Sequence, residues 1–135
     1  MSELAEKDAI REVMAEYCFR LDDGRFADMA ALFSTDGTWD TAFGKGTGQA
    51  DIEALVRRIR GDGPRPRAIH HVTNIVIRLE GTTAKCFSNW VTVQNSPQGP
   101  KIGSAGSYSD DMVKRDGRWF FRYRKIDRFI HDGAR

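Results

Sequence analysis

The segment "RAIHHVTNIVIRLE", residues 67–80, places two imidazoles and an amide in a run with the apolar, β-branched composition of a strand. His70 and His71 stand near its start, and Asn74 follows three residues later. Successive strand side chains point to opposite faces, so His70, Asn74 and the valines between and after them are predicted on one face and His71 on the other. One histidine must therefore point inward or lie at the rim, where its ring nitrogens need partners.

The first helix offers partners for such a histidine. In "DAIREVMAEYCFRLDDG" the apolar residues recur at three and four, which predicts a helix with one buried stripe that carries Tyr17. Asp22 follows Leu21 in the last turn, where the negative end of the helix dipole destabilises a carboxylate unless a cation or donor compensates. An Asp–His pair fixes the imidazole tautomer and stabilises the imidazolium, which makes the histidine a general base.

Each of these residues also has an ordinary structural interpretation. A strand histidine is usually a hydrogen-bonded core or rim residue, and a tyrosine on a helix stripe is usually core. Asp22 and Asp23 before a glycine are typical of a solvated helix end. Arg122 and Arg124 are by default the polar face of the last strand. Asn74 either holds a polar group of a substrate or ties its strand to a neighbour, and we favour the second interpretation.

The composition excludes several classes of protein. The 135 residues are predicted to form one domain, 1–135, and no apolar run approaches the ~20 residues of a membrane span. The acidic, helical start is not a signal peptide, so we expect a cytoplasmic protein with no membrane partner. Cys18 and Cys86 lack metal-ligand spacing and are interpreted as buried apolar residues. The densest basic stretches are "RRIRGDGPRPR" and "RYRKIDR". Both contain acidic residues and neither accompanies a nucleic-acid-binding motif, so we expect no nucleic-acid partner.

The order of elements predicts an α+β fold. After the first helix, "RFADMAALF" is predicted as a second helix, residues 38–43 as a strand, "GKGTG" as a loop and "ADIEALVRRIR" as a third helix broken by "GDGPRPR". Four strand-like segments follow, separated by turns at 80–81 and 116–117 and by a loop at "SPQGPKIG". Three helices then cover one face of a curled, mostly antiparallel sheet of four or five strands, with a cavity between the layers.

The chain also resembles a known family over nearly its whole length. Tyr17-x-x-x-x-Asp22, "ALFSTDGTWD", "HHVTN" and "DGRWFFRYR", with the order of elements, resemble the SnoaL-like branch of the nuclear-transport-factor-2-like superfamily. That branch includes scytalone dehydratases, bile-acid 7α-dehydratases and hexachlorocyclohexane dehydrochlorinases. The resemblance implies a cone-shaped barrel of curled sheet closed by helices. It also implies an internal Asp–His dyad that takes a proton from carbon without a metal or organic cofactor.

The resemblance assigns roles to individual residues. The dyad corresponds to Asp22 and His70, and Tyr17 corresponds to a hydrogen-bond donor five residues before the aspartate. A last-strand arginine that polarises the leaving group or carbonyl corresponds best to Arg124, with Arg122, one strand step away on the same face, as the alternative. His71 is expected to be structural.

The implied function is that of a cofactor-independent lyase or dehydratase, or an isomerase or cyclase, acting on a small hydrophobic cyclic substrate. Aromatic and amide side chains are expected to line the cone and bind that substrate: Trp39, Phe43, Asn74, Trp90 and Tyr108, with Phe19, Phe26 and Phe33 as further lining candidates. The alternatives are a non-catalytic ligand-binding module, in which Asp22 is exposed or far from His70, and a structural β-type subunit of a ring-hydroxylating dioxygenase. A homodimer or homotrimer is expected by analogy.

Overall fold

The computed structural model describes residues 2–61 and 67–132 and confirms the α+β class. The elements in chain order are α1 (Glu3–Asp22), α2 (Phe26–Ala30), β1 (Phe33–Thr41), β2 (Gly44–Thr47), α3 (Gln49–Arg60), β3 (Ala68–Glu80), β4 (Thr83–Ser96), β5 (Gly99–Arg115) and β6 (Arg118–His131). Most of the predicted break after the third helix, residues 62–66, lies outside the described part. None of the described helices combines the length and apolar character that crossing a bilayer needs.

The strands form one curled sheet of six strands in the order β2-β1-β6-β5-β4-β3. Strands β3 to β6 make an antiparallel meander, β1 joins β6 in parallel, and β2 pairs with β1. The expected four or five strands are fewer than the six observed, because the predicted loop "GKGTG" is strand β2. The predicted loop "SPQGPKIG" is also mostly strand, since Ser96 already pairs with Gly99 across a tight turn.

Helix α1 lies on the inner face of the sheet and contacts β3 and β6. Its predicted stripe is buried, with Ile10, Met14 and Tyr17 fully inaccessible and Leu21 nearly so. The Ser2 hydroxyl caps its first turn by accepting a hydrogen bond from the backbone N–H of Ala5 at 3.1 Å. The stripe continues to the last turn, so the helix delivers Asp22 to the edge of the core, beside β3.

A β-bulge in β3 makes the predicted alternation wrong beyond Thr73. Thr73 pairs with Asn89 but Val76 pairs with Phe87, so two residues of β3 oppose one of β4. Asn74 takes a positive φ of 55° in this bulge. As a result Val76 is exposed, whereas Ile77 on the next position is buried. His70 and Asn74, predicted on one face, are therefore directed differently.

A second bulge, in β6, separates the two arginines that were predicted to share a face. Asp111 pairs with Tyr123 and Met112 pairs with Phe121, which leaves Arg122 as the extra residue. Arg122 is exposed, while Arg124 is completely buried. The two are consequently not interchangeable.

Candidate active site

A cavity of about 490 Å³ opens between the helices and the inner face of the sheet. Its lining comes from α1, β1, α3 and all four strands of the meander. Four of the aromatic lining residues are themselves almost inaccessible to solvent, namely Tyr17, Trp39, Trp90 and Tyr108. Phe43, by contrast, is 60% exposed, so the cavity has a closed aromatic end and an open mouth.

Asp22 and His70 form a close pair at the cavity wall. The His70 Nδ1 lies 2.5 Å from one Asp22 carboxylate oxygen, and the other oxygen accepts the His70 backbone N–H at 2.8 Å. The two side chains are only 7% and 12% exposed, respectively. One carboxylate thus fixes both the backbone and the ring of the histidine. With Nδ1 engaged, Nε2 is the ring nitrogen left for a ligand in the cavity that His70 lines.

The position of Asp22 follows from its place at the end of α1. The helix dipole disfavours a carboxylate there, and the two donors of His70 compensate for both the dipole and the burial. The non-catalytic alternative requires an Asp22 that is exposed or remote from His70. In the structure the Asp22 side chain is instead largely buried and hydrogen-bonded to His70.

Tyr17 is held as a hydrogen-bond donor toward the cavity. Its hydroxyl accepts the indole N–H of Trp39 at 3.0 Å, which leaves its own proton for another acceptor. Burial, opposed by the nearby Arg124 cation, raises the pKa of Tyr17 to about 12. The phenol is therefore neutral over the whole physiological range.

Arg124 does not line the cavity, contrary to the expectation that it polarises a leaving group or carbonyl. Its Nε and Nη2 donate to the two Asp110 carboxylate oxygens at 2.8 and 2.9 Å, and both side chains are fully buried. The guanidinium carbon lies 3.6 Å from the Tyr108 ring centroid and 4.4 Å from that of Tyr17. Burial by itself lowers the pKa of Arg124, because it disfavours the charged form. The Asp110 carboxylate has the larger combined effect, so the pKa of Arg124 is raised. Arg124 is therefore a buried cation behind the aromatic lining.

The aromatic and amide residues expected to bind a substrate divide into two groups. Trp39, Phe43, Trp90 and Tyr108 all line the cavity. Asn74 does not, because its side chain is on the exposed outer surface and donates to the Asn89 amide oxygen at 2.9 Å.

The further lining candidates also lie elsewhere. Phe19 is 64% exposed, and Phe33 is part of the packed core. Phe26 is partly buried, with the Arg57 guanidinium carbon 5.4 Å from its ring centroid.

Several polar lining residues were not predicted from the sequence. Thr92 is the strand partner of His70, and its hydroxyl bonds to the backbone of Ser104. Gln94 and Arg128 line the cavity farther along β4 and β6. The alternation of "WVTVQ" from Trp90 would have predicted the inward positions of Thr92 and Gln94. No sequence signal distinguishes Arg128 from the other arginines of β6.

Comparison with known proteins places the chain among related sequences and folds. A family model described as a SnoaL-like domain matches residues 2–125. No curated protein sequence matches significantly. Within the described residues, no group of three or more His, Cys, Asp or Glu side chains is arranged to hold a metal ion.

Solved structures share the fold. A provisionally named scytalone dehydratase from Novosphingobium aromaticivorans is 27% identical, with a TM-score of 0.79 over 94% of this chain and 86% of its own. A variant of Rv3472, a Mycobacterium tuberculosis protein of unknown function, is 23% identical, with a TM-score of 0.84 over 94% and 73%. A Catenulispora acidiphila protein in complex with S-DNPA is 20% identical, with a TM-score of 0.83 over 93% and 95%.

Proposed function

The chain belongs to the SnoaL-like domain family, and we propose that it is a cofactor-independent lyase that removes water, or a similar leaving group, from a hydrophobic cyclic substrate. The observation that carries this proposal is the hydrogen bond between Asp22 and His70 at the wall of a cavity with an aromatic end. The similarity to a provisionally named scytalone dehydratase supports the same reaction class.

The first step is the transfer of a proton from carbon to His70. The Nε2 lone pair takes a proton from a carbon next to a carbonyl, and the C–H electron pair moves to form an enolate. Asp22 stabilises the imidazolium across the 2.5 Å hydrogen bond. Tyr17 donates its free proton to the carbonyl oxygen, where the negative charge develops.

The second step expels the leaving group and restores the base. The enolate electrons return to form a carbon–carbon double bond as the hydroxyl on the β-carbon departs. The departing oxygen takes the proton from the His70 imidazolium, which releases water and regenerates neutral His70. Isomerases and cyclases of this class share the first step and differ only in the fate of the enolate.

Arg124 acts in this mechanism as a positioning residue rather than a catalytic one. Its cation lies 4.4 Å from the Tyr17 ring centroid, and Asp110 holds it there. Together with the Trp39 N–H on the Tyr17 oxygen, this cation favours a partial negative charge on the phenol. This stabilisation of the phenol oxygen acts only in the transition state, when the Tyr17 proton shifts toward the enolate oxygen.

The dehydration of 3-hydroxy-1-tetralone to fluorescent 1-naphthol tests the proposal. We expect His70→Gln and Asp22→Asn each to lower kcat by ~100- to 10,000-fold, because each removes the general base or its support. The neighbouring exposed residues supply matched controls, so His71→Gln and Asp23→Asn should retain wild-type turnover. Equal turnover in His70→Gln and His71→Gln contradicts the mechanism.

The proposal includes self-association of the chain, which the exposed apolar residues on the outer face of the sheet support. Ile69, Val93 and Ile102 pair across three neighbouring strands and are 47%, 37% and 61% exposed. Ile130, which pairs with Ala105 beside this row, is 62% exposed. None of these side chains is charged, so two copies can bring the row together without burying an unpaired charge. The proposed assembly is a homodimer through this face.

A further inference from the structure

The charged side chains of the cavity are unevenly distributed. The aromatic end formed by Tyr17, Trp39 and Tyr108 is uncharged at neutral pH. The charged lining residues are Arg60, Arg128 and Asp132, from the end of α3 and the end of β6. The Arg128 guanidinium lies 5.4 Å from the ring centroid of the exposed Phe43, which places Arg128 at the mouth.

The charge of Arg128 is not compensated by an ion pair within the described part of the chain. Asp132, the one lining carboxylate described, is bound by the Lys101 ammonium. The Lys101 hydrogen bond is the main reason that the pKa of Asp132 is lowered, and Arg128 contributes less. An arginine at the wall of a cavity whose one described lining carboxylate is bound by a lysine is suited to a ligand anion.

The direction of Arg128 is built into the sheet. Gly106 pairs with Arg128 and Ala105 with Ile130, so Phe129 is the extra residue of a bulge. A Cβ on Gly106 would lie 1.8 Å from the Asp127 carbonyl oxygen, so only glycine permits the close approach of the two strands. The bulge leaves Phe129 66% exposed on the outside, whereas Arg128 lines the cavity. A side chain on a strand is a more rigid anchor than one on a loop.

We propose that Arg128 binds an anionic oxygen group of the ligand, so that the substrate is an apolar ring system with an acidic substituent remote from the reacting carbon. This inference rests on the proposed function for the identification of the cavity as the substrate site. His70 lies on β3 and Arg128 on β6, so three strand spacings, about 14 Å measured across the strands, separate their backbones. The ring system occupies the aromatic end beside His70, and the acidic group lies at the mouth.

Two fluorescent probes that share one ring system isolate the anion-binding step. 8-Anilinonaphthalene-1-sulfonate carries a sulfonate, and N-phenyl-1-naphthylamine is its uncharged counterpart. We expect Arg128→Gln to weaken binding of the sulfonate about 10-fold, since a charge-assisted contact is lost, and to leave binding of the neutral probe within twofold. Arg122→Gln, an exposed arginine of the same strand, should change neither affinity.

A variant that fills the cavity tests whether the two probes bind inside it. Ala68 lines the cavity, so Ala68→Trp should weaken both probes. Equal losses for both probes in Arg128→Gln, or no loss for the sulfonate, overturn the inference. A sulfonate that binds normally to Ala68→Trp avoids the cavity and overturns it as well.

The dyad variants separate this inference from the proposed function. Asp22→Asn and His70→Gln should keep the wild-type ratio of the two probe affinities, because neither removes the Arg128 charge. If turnover proves independent of His70 while the sulfonate still requires Arg128, the proposed function fails and the anion site stands. If turnover requires His70 but the probes respond alike to Arg128→Gln, only the anion site fails.

Discussion

At the scale of single residues, the central relation is between a helix-end carboxylate and a strand-end imidazole. Asp22 was predictable because a buried stripe that continues to the last turn of a helix carries its final carboxylate toward the core. The need of an imidazole in an apolar strand for a partner predicted one inward histidine, and the family resemblance identified it as His70. Arg128 was not predictable, since its inward direction depends on a bulge that the composition of β6 does not reveal.

Tyr17→Phe tests the hydrogen-bond donor. Loss of one donor to a developing oxyanion is expected to lower kcat for 3-hydroxy-1-tetralone by ~100- to 1,000-fold with little change in KM. Trp39→Phe should give a smaller loss in kcat, because the Trp39 N–H acts through the Tyr17 oxygen. Tyr123→Phe is the control, as its hydroxyl is bound to Asp40 away from the cavity. A Tyr17→Phe enzyme with unchanged kcat excludes the donor role.

At the scale of elements, α1 is expected to limit stability at alkaline pH. Burial raises the pKa of Cys18 from 9.0 to about 11 and that of Tyr17 from 10.0 to about 12. The stability that both neutral groups contribute is fully present below the unfolded-state values and is lost as pH rises through the folded-state values. Thermal unfolding should therefore show Tm falling between about pH 9 and 12. Cys18→Ala with Tyr17→Phe should flatten this fall, and an unchanged slope would rule out these groups as its cause.

The buried ion pair between β5 and β6 is the second feature at this scale. Arg124→Met should lower the free energy of unfolding by about 3–5 kcal/mol, because it leaves the Asp110 carboxylate buried and unpaired. Adding Asp110→Leu should restore much of the loss. Urea unfolding measures both variants against Arg122→Met, which alters an exposed side chain of the same strand and should have little effect. A loss in Arg122→Met as large as that in Arg124→Met contradicts this account.

The long strands could be predicted from the sequence, but the faces of their side chains could be predicted only in part. Turn residues and apolar runs predicted the four long strands, because both signals are local, although β5 begins at Gly99, inside a predicted loop. The faces of those strands were predicted only up to the first bulge, after Thr73 in β3. Arg122 and Arg124 were assigned to one face for the same reason. Bulges arise from pairing between strands, and strict alternation within one strand cannot anticipate them.

At the scale of the whole molecule, the exposed apolar row of the outer face predicts a homodimer. Val93→Lys with Ile102→Lys should shift the sedimentation coefficient from that of a dimer to that of a monomer, since four lysines would meet in a symmetric interface. Lys85→Ala is the control, because that exposed residue is already charged and bound to Asp111. A wild-type protein that sediments as a monomer at micromolar concentration contradicts the assembly.

The order of helices and strands predicted the fold class, whereas the cavity depends on the curvature of the whole six-stranded sheet. Three helices before a four-strand meander predicted one covered face. Residues 38–43 were predicted as a strand and overlap β1, whereas β2 lies in a glycine-rich segment that was predicted as a loop. These strands bring Trp39 and Phe43 to the cavity, so the complete site required the complete sheet.

The exchange of the C2 protons of 1-tetralone in D₂O tests the central claim most directly, because it needs the base but no leaving group. Nuclear magnetic resonance would follow the loss of the C2 signal with wild type, His70→Gln and Asp22→Asn, and with His71→Gln and Asp23→Asn as controls. The account predicts exchange at least ~100-fold faster with wild type and both controls than with either dyad variant. Exchange at the same rate with wild type and His70→Gln would show that His70 is not a carbon base.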